Sequence, residues 1–321
     1  MRNPRRDGWA LRFVRRSSDG PAWQAGPVAD DERGEAVLAA ATDAARREFG
    51  DDLVAAYTLG SLAHGGFAPA VSDVDLALVL RETDGGTASR VHDVVAAARD
   101  AAAGTDGLAE RLSVFWADPD TVRHGTGRRP ARLPAVDRLD LLDSGVLRHG
   151  TDVRDGAVPP GHDELVRGSA GFLVERVDDA WLAGVADPAA LLARGPRAVT
   201  KTVLFPVRFL HTLTTGEIGR NDAAVASYDG AHRDLARAAL RWRDGAPGER
   251  VAAWTLLTDH LAGLYRECVD AHLAALPGDD PAVTGLRALR DALAVLSASR
   301  AVPRSRLSAS PASVPRTPRS R

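Results

Sequence analysis

The chain has 321 residues, 45% of them hydrophobic, which indicates a folded protein of about two domains. No apolar run is long enough for a membrane span, and the charged N-terminus lacks the apolar stretch of a secretory signal. The only cysteine, Cys268, excludes a disulfide framework and a cysteine-based zinc cluster, so a cytoplasmic protein is expected. The net charge is −2, and five arginines without an acid in residues 301–321 leave −7 for the rest, which argues against nucleic acid as a partner.

The first half of the sequence alternates helical and strand-like patterns. Residues 1–32 mix short charged runs with Gly and Pro and are expected to be disordered. The elements predicted next are a helix over 34–49, strands over 53–59 and 73–80, a helix over 87–103 and a strand over 112–117. This order predicts an α+β domain over residues 33–157, with a small mixed β-sheet flanked by helices.

After the Pro-Pro-Gly at 159–161 the sequence becomes entirely helical in character. Helices are predicted over 162–184, 196–216, 221–229, 231–243, 249–275 and 281–298. We therefore expect an all-α helical-bundle domain over residues 158–299. The remaining tail, 300–321, is rich in Ser, Pro and Arg and is expected to be disordered.

Two aspartates, Asp73 and Asp75, open the second predicted strand. Side chains two residues apart on a strand point to the same face, so the two carboxylates converge. Paired carboxylates favour a hard cation with oxygen ligands, and Mg²⁺ fits best. The alternative to a metal site is that Asp73 and Asp75 are two surface residues at the end of a strand. A calcium loop does not fit, because the apolar run that begins at Leu76 supplies no further oxygen ligand.

Upstream of this pair, the first strand ends at Gly60-Ser61 and a short helix begins. Backbone amides and a hydroxyl at a helix N-terminus are suited to binding phosphate, although Gly-Ser alone is a common turn. Beside Asp73 and Asp75, the turn would place a polyphosphate next to a metal. His64 lies near this turn, where the simpler interpretation is an incidental histidine.

These four residues resemble the pattern of the nucleotidyltransferase superfamily, which includes DNA polymerase beta and the aminoglycoside nucleotidyltransferases. That pattern is a Gly-Ser ending a strand, about ten residues of turn, and an Asp-x-Asp starting the next strand. The resemblance covers about residues 35–120. It implies that Gly60 and Ser61 bind the phosphates of ATP or another nucleoside triphosphate. It also implies that Asp73 and Asp75 are catalytic and hold Mg²⁺, with two ions expected.

The family usually adds a third carboxylate on the adjacent strand, and here the sequence departs from it. The third predicted strand, L-S-V-F-W-A, has Ser113 where an acid is expected. Glu110 precedes the strand and Asp118 follows it, and we favour Glu110 as the third catalytic acid.

The predicted helical domain contributes basic residues that are further candidates for the site. Lys201 is the only lysine among 41 basic residues, and it forms one helical stripe with Arg208 and Thr212. Lys201 and Arg208 are candidates for nucleotide binding, with interdomain ion pairs as the alternative. The segment T-G-E-I-G-R-N resembles the Thr-Gly segment of streptomycin/spectinomycin-type nucleotidyltransferases, which implies a nucleotide contact from Asn221 or Arg220. Asn221 as a helix N-cap is the alternative.

The expected activity is transfer of a nucleoside monophosphate, AMP from ATP, to a hydroxyl of an aminoglycoside-like small molecule, with release of pyrophosphate. Glu175, Asp178 and Asp179 form an acidic helix face that would suit such an acceptor, or is a solvated surface. Two alternatives stay open. One is a protein nucleotidylyltransferase of the antitoxin type, and the other is a degenerate nucleotide-binding module without transfer activity.

Overall fold

The computed structural model describes residues 28–127, 130–245 and 247–301. Its N-terminal half contains four strands and five helices. In chain order these are α1 (Val28–Phe49), β1 (Leu53–Leu59), α2 (Gly60–His64), β2 (Val74–Leu80), α3 (Thr87–Ala101), β3 (Leu112–Ala117), α4 (Pro119–His124), α5 (Ala135–Ser144) and β4 (Val146–Gly150). Residues 28–32, expected to be disordered, belong to α1, whereas 1–27 and 302–321 lie outside the described residues.

The four strands form one mixed sheet in the order β3-β2-β1-β4. Strand β1 is antiparallel to β2 and β4, and β2 is parallel to β3. The edge strand β4 was not predicted, because its residues are mostly exposed and lack the buried alternation that marks a strand, with Val146 41% and Leu147 37% exposed.

The sheet has a hydrophobic core on each face, and the alternation of β2 decides which residues enter which core. Leu76 and Leu78 pack with α1 and α3, whereas Ala77 and Val79 pack on the opposite face with Leu141 of α5. Asp75 shares the parity of Ala77 and therefore points to the α5 face.

The second half is helical throughout its described part. Its helices are α6 (His162–Arg176), α7 (Asp179–Ala186), α8 (Pro188–Ala193), α9 (Pro196–Thr215), α10 (Asn221–Ser227), α11 (Arg233–Arg241), α12 (Arg250–Ala275) and α13 (Ala282–Ala301). They surround one core, in which Val203 of α9 and Leu257 and Leu261 of α12 are fully buried. None of the described helices is long and apolar enough to cross a membrane.

The predicted α+β class is confirmed, with a mixed-sheet half followed by a helical half. The single helix predicted over 162–184 is wrong in one respect, because α6 ends at Arg176 and α7 starts at Asp179. The Asp178 side chain accepts a hydrogen bond from the Trp181 amide at 2.8 Å, which caps α7 and separates the two helices.

Candidate functional site

The turn from β1 to α2 depends on Gly60. Its φ is +66°, in the left-handed region that favours glycine, and a Cβ there would lie 2.6 Å from Oδ2 of Asp75. Its backbone amide donates a hydrogen bond to Oδ2 of Asp140 at 2.7 Å. Since that amide is engaged, Ser61 and the cations around it remain to face a ligand.

The two predicted metal ligands have different surroundings. Asp73 precedes β2 and accepts hydrogen bonds from both Arg197 and Lys201 of α9. Burial alone would raise the pKa of Asp73, but the Lys201 and Arg197 charges outweigh it and lower that pKa. Asp75 pairs with Leu59 on one side and Ser113 on the other within the sheet.

The Asp75 carboxylate has no side-chain hydrogen bond among the described residues, and it lies close to other carboxylates as well as to Lys201. Burial raises its pKa to about 8, and the charges of Asp73, Asp137 and Asp140 add to the shift. A carboxylate in this position holds a proton near neutral pH unless a cation reaches it.

Neither candidate for the third acid reaches the cleft. Glu110 lies in a 3₁₀ turn with its side chain 71% exposed, and it forms an ion pair with Arg99 at 3.6 Å. Asp118 is buried at the start of α4, where its carboxylate accepts a hydrogen bond from the Thr121 amide at 2.8 Å. On strand β3, Ser113 is the residue beside Asp75.

The additional carboxylates come from α5, which the sequence did not indicate. Asp137 and Asp140 are three residues apart on one face of this helix, on the side of the sheet to which Asp75 points. Burial raises the pKa of Asp137 to about 7, and the negative charge of Asp140 adds to this shift. Only the D-R-L-D spacing of residues 137–140 could have suggested them.

The cleft itself lies between the sheet and helix α9. It brings together Gly60, Ser61, Asp73, Asp75, Lys201, Arg208 and Asn221, all predicted from sequence, and also His64, Arg220 and Arg243. Thr212, the last residue of the predicted stripe, is buried in the helical core instead. Arg220 takes the N-cap position of α10, so the N-cap interpretation of Asn221 does not describe the structure.

Arg243, which follows α11, joins the two halves of the molecule across the cleft. It donates a hydrogen bond to the Gly66 carbonyl at 2.6 Å. Arg208 is held from within the helical half, because its Nε donates to the Gly219 carbonyl at 2.6 Å. A lone arginine after a helix carries no sequence signal, so Arg243 was missed.

The acidic face of Glu175, Asp178 and Asp179 does not line the cleft. All three are exposed on α6, on α7 or between them, and the Asp178 carboxylate caps α7. The structure therefore agrees with the solvated-surface interpretation of these residues.

The donor set suits a magnesium–nucleotide complex better than a free metal ion. No group of three His, Cys, Asp or Glu side chains in the described part of the chain is arranged to hold a metal. Mg²⁺ needs only one or two carboxylates when substrate phosphates and water complete its octahedron. Asp73 and Asp75 beside a cluster of cations meet that requirement.

Comparison with known proteins finds similarity to solved structures. No family model matches the sequence, and no curated protein matches it. The structure is similar to the crystal structure of spectinomycin adenyltransferase AAD(9) from Enterococcus faecialis with ATP and spectinomycin. The two are 12% identical with a TM-score of 0.46, over 80% of this chain and 98% of that chain. Function is therefore inferred from the residues that line the cleft.

Proposed function

We propose that the protein is a Mg²⁺-dependent nucleotidyltransferase that moves AMP from ATP to a hydroxyl of a small-molecule acceptor and releases pyrophosphate. The observation that carries this proposal is the cleft itself. It combines Ser61 at a helix N-terminus with two convergent carboxylates, Asp73 and Asp75, and with cations from the helical half.

The cations of the cleft suit a triphosphate. Lys201, Arg208, Arg220 and Arg243 all line it, from α9 and from the segments that flank α10 and follow α11. Together they supply charge-assisted hydrogen bonds to phosphate oxygens and hold the leaving pyrophosphate. Ser61 binds the terminal phosphates from the opposite wall.

Asp73 and Asp75 would hold Mg²⁺, which when bound offsets the charge that develops on the attacking and leaving oxygens. The acceptor hydroxyl attacks the α-phosphorus in line with the departing pyrophosphate, and it loses its proton to a carboxylate. We assign this third-carboxylate role to Asp137 rather than to Glu110. Asp137 does not itself line the cleft, but its charge acts on Asp75 from α5, whereas the Glu110 side chain is 71% exposed and pairs with Arg99.

For the acceptor, we propose an aminoglycoside-like small molecule bearing hydroxyl groups. Because the acidic face on α6 and α7 lies outside the cleft, the acceptor would bind between Phe205 and the turn at His64 instead. Phe205 stacks on Trp181 with ring centroids 5.6 Å apart, which makes a rigid apolar wall beside the phosphate cations. Spectinomycin, bound in the similar structure, is a suitable first probe.

Two observations favour a second candidate, a nucleotide-binding module without transfer activity. Strand β3 has Ser113 beside Asp75, and Asp73 is already neutralised by two cations. Such a module would bind ATP in the same cleft and release no pyrophosphate.

A labelling experiment separates the candidates. The full chain is incubated with Mg²⁺ and ATP labelled at the α-phosphate, together with spectinomycin, a panel of aminoglycosides or a cell lysate. Label on a small molecule supports the proposal, and label on a protein band supports a protein target. ATP binding without label transfer in any arm supports the binding module, and transfer that persists in Asp73→Asn contradicts the metal assignment.

A further inference from the structure

Helix α9 reaches across the cleft and neutralises the first of the two aspartates. Arg197 and Lys201 are one helical turn apart, and each donates a hydrogen bond to a different oxygen of Asp73. Both oxygens that a cation would need are therefore occupied by side chains of the helical half. Asp75, two residues further on, receives no such hydrogen bond within the described chain.

The side chains of these two ion pairs are partly exposed to solvent, so each pair can separate and its members can bind other ions. The exposed fractions of the side chains are 26% for Asp73, 39% for Arg197 and 24% for Lys201. Lys201 also lines the cleft with Ser61 and Arg208, so its ammonium group lies where phosphate oxygens would bind. Lys201 therefore has two possible anionic partners within reach of one flexible side chain.

We propose that Arg197 and Lys201 take the place of the metal ion at Asp73 while the cleft holds no nucleotide. Mg²⁺ then binds productively as its complex with a nucleoside triphosphate and only weakly as the free ion. When the complex enters, Lys201 transfers from Asp73 to a phosphate oxygen, and Asp73 becomes available to the metal. This inference rests on the proposed function, because it takes Asp73 as a metal ligand.

The physical reason is charge balance. A free divalent cation at Asp73 would lie close to two fixed positive charges, Arg197 and Lys201, and both would repel it. A metal–triphosphate complex brings its own negative charge, which gives Lys201 a new partner. Free metal and metal–nucleotide are therefore discriminated by the same two side chains.

The experiment measures binding to the full chain with Mn²⁺ as a spectroscopically visible probe. Free Mn²⁺ affinity is determined by electron paramagnetic resonance, and the affinity for Mn²⁺ with α,β-methylene-ATP, which cannot transfer AMP, by calorimetry. The variants are Arg197→Gln, Lys201→Gln and the charge-conserving Lys201→Arg. Arg194→Gln is a matched control. Arg194 is exposed at the end of α8, and its substitution removes one positive charge from the same segment.

We expect Arg197→Gln and Lys201→Gln to strengthen free Mn²⁺ binding by about tenfold. Lys201→Gln should at the same time weaken binding of the metal–nucleotide complex by about tenfold, because a phosphate loses its charged partner. Lys201→Arg and Arg194→Gln should retain the wild-type free Mn²⁺ affinity. Adding Asp73→Asn to either glutamine variant should remove the gain in free Mn²⁺ affinity, because that gain depends on the Asp73 carboxylate.

Free Mn²⁺ affinity that is unchanged or weaker in both glutamine variants, with unfolding midpoints close to the wild type, would overturn the inference. If those variants also bind nucleotide normally and transfer AMP, the proposed function stands although the inference about Arg197 and Lys201 fails. If the wild type binds no nucleotide at all, the proposed function fails, and the free Mn²⁺ measurements still decide whether the ion pairs compete with a cation.

Discussion

Gly60 and Asp140 join the turn between β1 and α2 to helix α5 through one hydrogen bond, from the Gly60 amide to Oδ2 of Asp140, at 2.7 Å. Asp140 is buried, and its other oxygen accepts a hydrogen bond from the Ser144 hydroxyl at 2.5 Å. The turn that presents Ser61 is thus held by a residue 80 positions away in the chain.

Replacing Asp140 by Ala should therefore loosen this turn. The half-buried Gly60 amide would lose its partner, which costs up to about 1–3 kcal/mol of the free energy of unfolding. ATP affinity should fall as well, because Ser61 is no longer positioned. Urea denaturation and calorimetric ATP titration measure the two effects. Asp140→Asn, which keeps an acceptor oxygen, should lose less of both, and equal losses in the two variants would contradict a hydrogen-bonding role.

Substituting Gly60 by Ala should destabilise the protein for two reasons. The left-handed backbone costs about 1–3 kcal/mol for a residue with a Cβ, and that Cβ would collide with Asp75. Gly66→Ala is the matched control, because Gly66 also has a positive φ, +80°, but nothing within 4 Å of an added Cβ. The Gly60 variant should have the lower free energy of unfolding by urea denaturation, and equal values would exclude an effect of the Asp75 contact.

The third carboxylate is tested by comparing Asp137→Asn with Glu110→Gln. Loss of a positioned proton acceptor should slow AMP transfer by about 10²-fold or more in the Asp137 variant. The Glu110 variant should keep the wild-type rate, since that side chain is exposed and pairs with Arg99. Pyrophosphate release with the identified acceptor measures both rates. A slow Glu110 variant beside an active Asp137 variant would restore the sequence-based choice.

The half-buried acids Asp75 and Asp137 should give stability a defined pH dependence. The folded-state pKa values of Asp75 and Asp137, about 8 and about 7, lie above the ordinary aspartate value of 3.8, so the folded protein binds more protons than the unfolded chain between these limits. Their contribution to stability is complete below pH 3.8 and is lost as the pH rises through 7 to 8. Asp73 has a lowered pKa, so its contribution is lost only as the pH falls below 3.8.

The measurement is urea denaturation between pH 5 and pH 9 without metal. The free energy of unfolding should fall with rising pH, with a slope of up to about 1.4 kcal/mol per pH unit for each proton released. Asp75→Asn should flatten that slope, whereas Asp43→Asn, on the exposed face of α1, should leave it unchanged. A wild-type slope that persists in Asp75→Asn would show that other groups cause it.

Local patterns were sufficient for most of the elements. Strands β1 and β3 and helices α9 and α12 begin and end within one residue of the predicted bounds, because each has a continuous apolar core face and Gly, Pro or Asp at its ends. The exposed strand β4 and the break between α6 and α7 escaped prediction. An edge strand lacks buried alternation, and a cap in mid-pattern does not interrupt helical spacing.

The sequence by itself placed Asp73 and Asp75 two residues apart at the start of a strand and after a Gly-Ser turn, because strand patterns and turn residues are local properties. Their true neighbours were decided only by the tertiary structure. The carboxylates of Asp137 and Asp140 approach from α5, and the cations of Arg197 and Arg243 approach from the helical half. Long-range packing selects such partners among many acids and arginines of equal local character, and no spacing in the sequence distinguishes them.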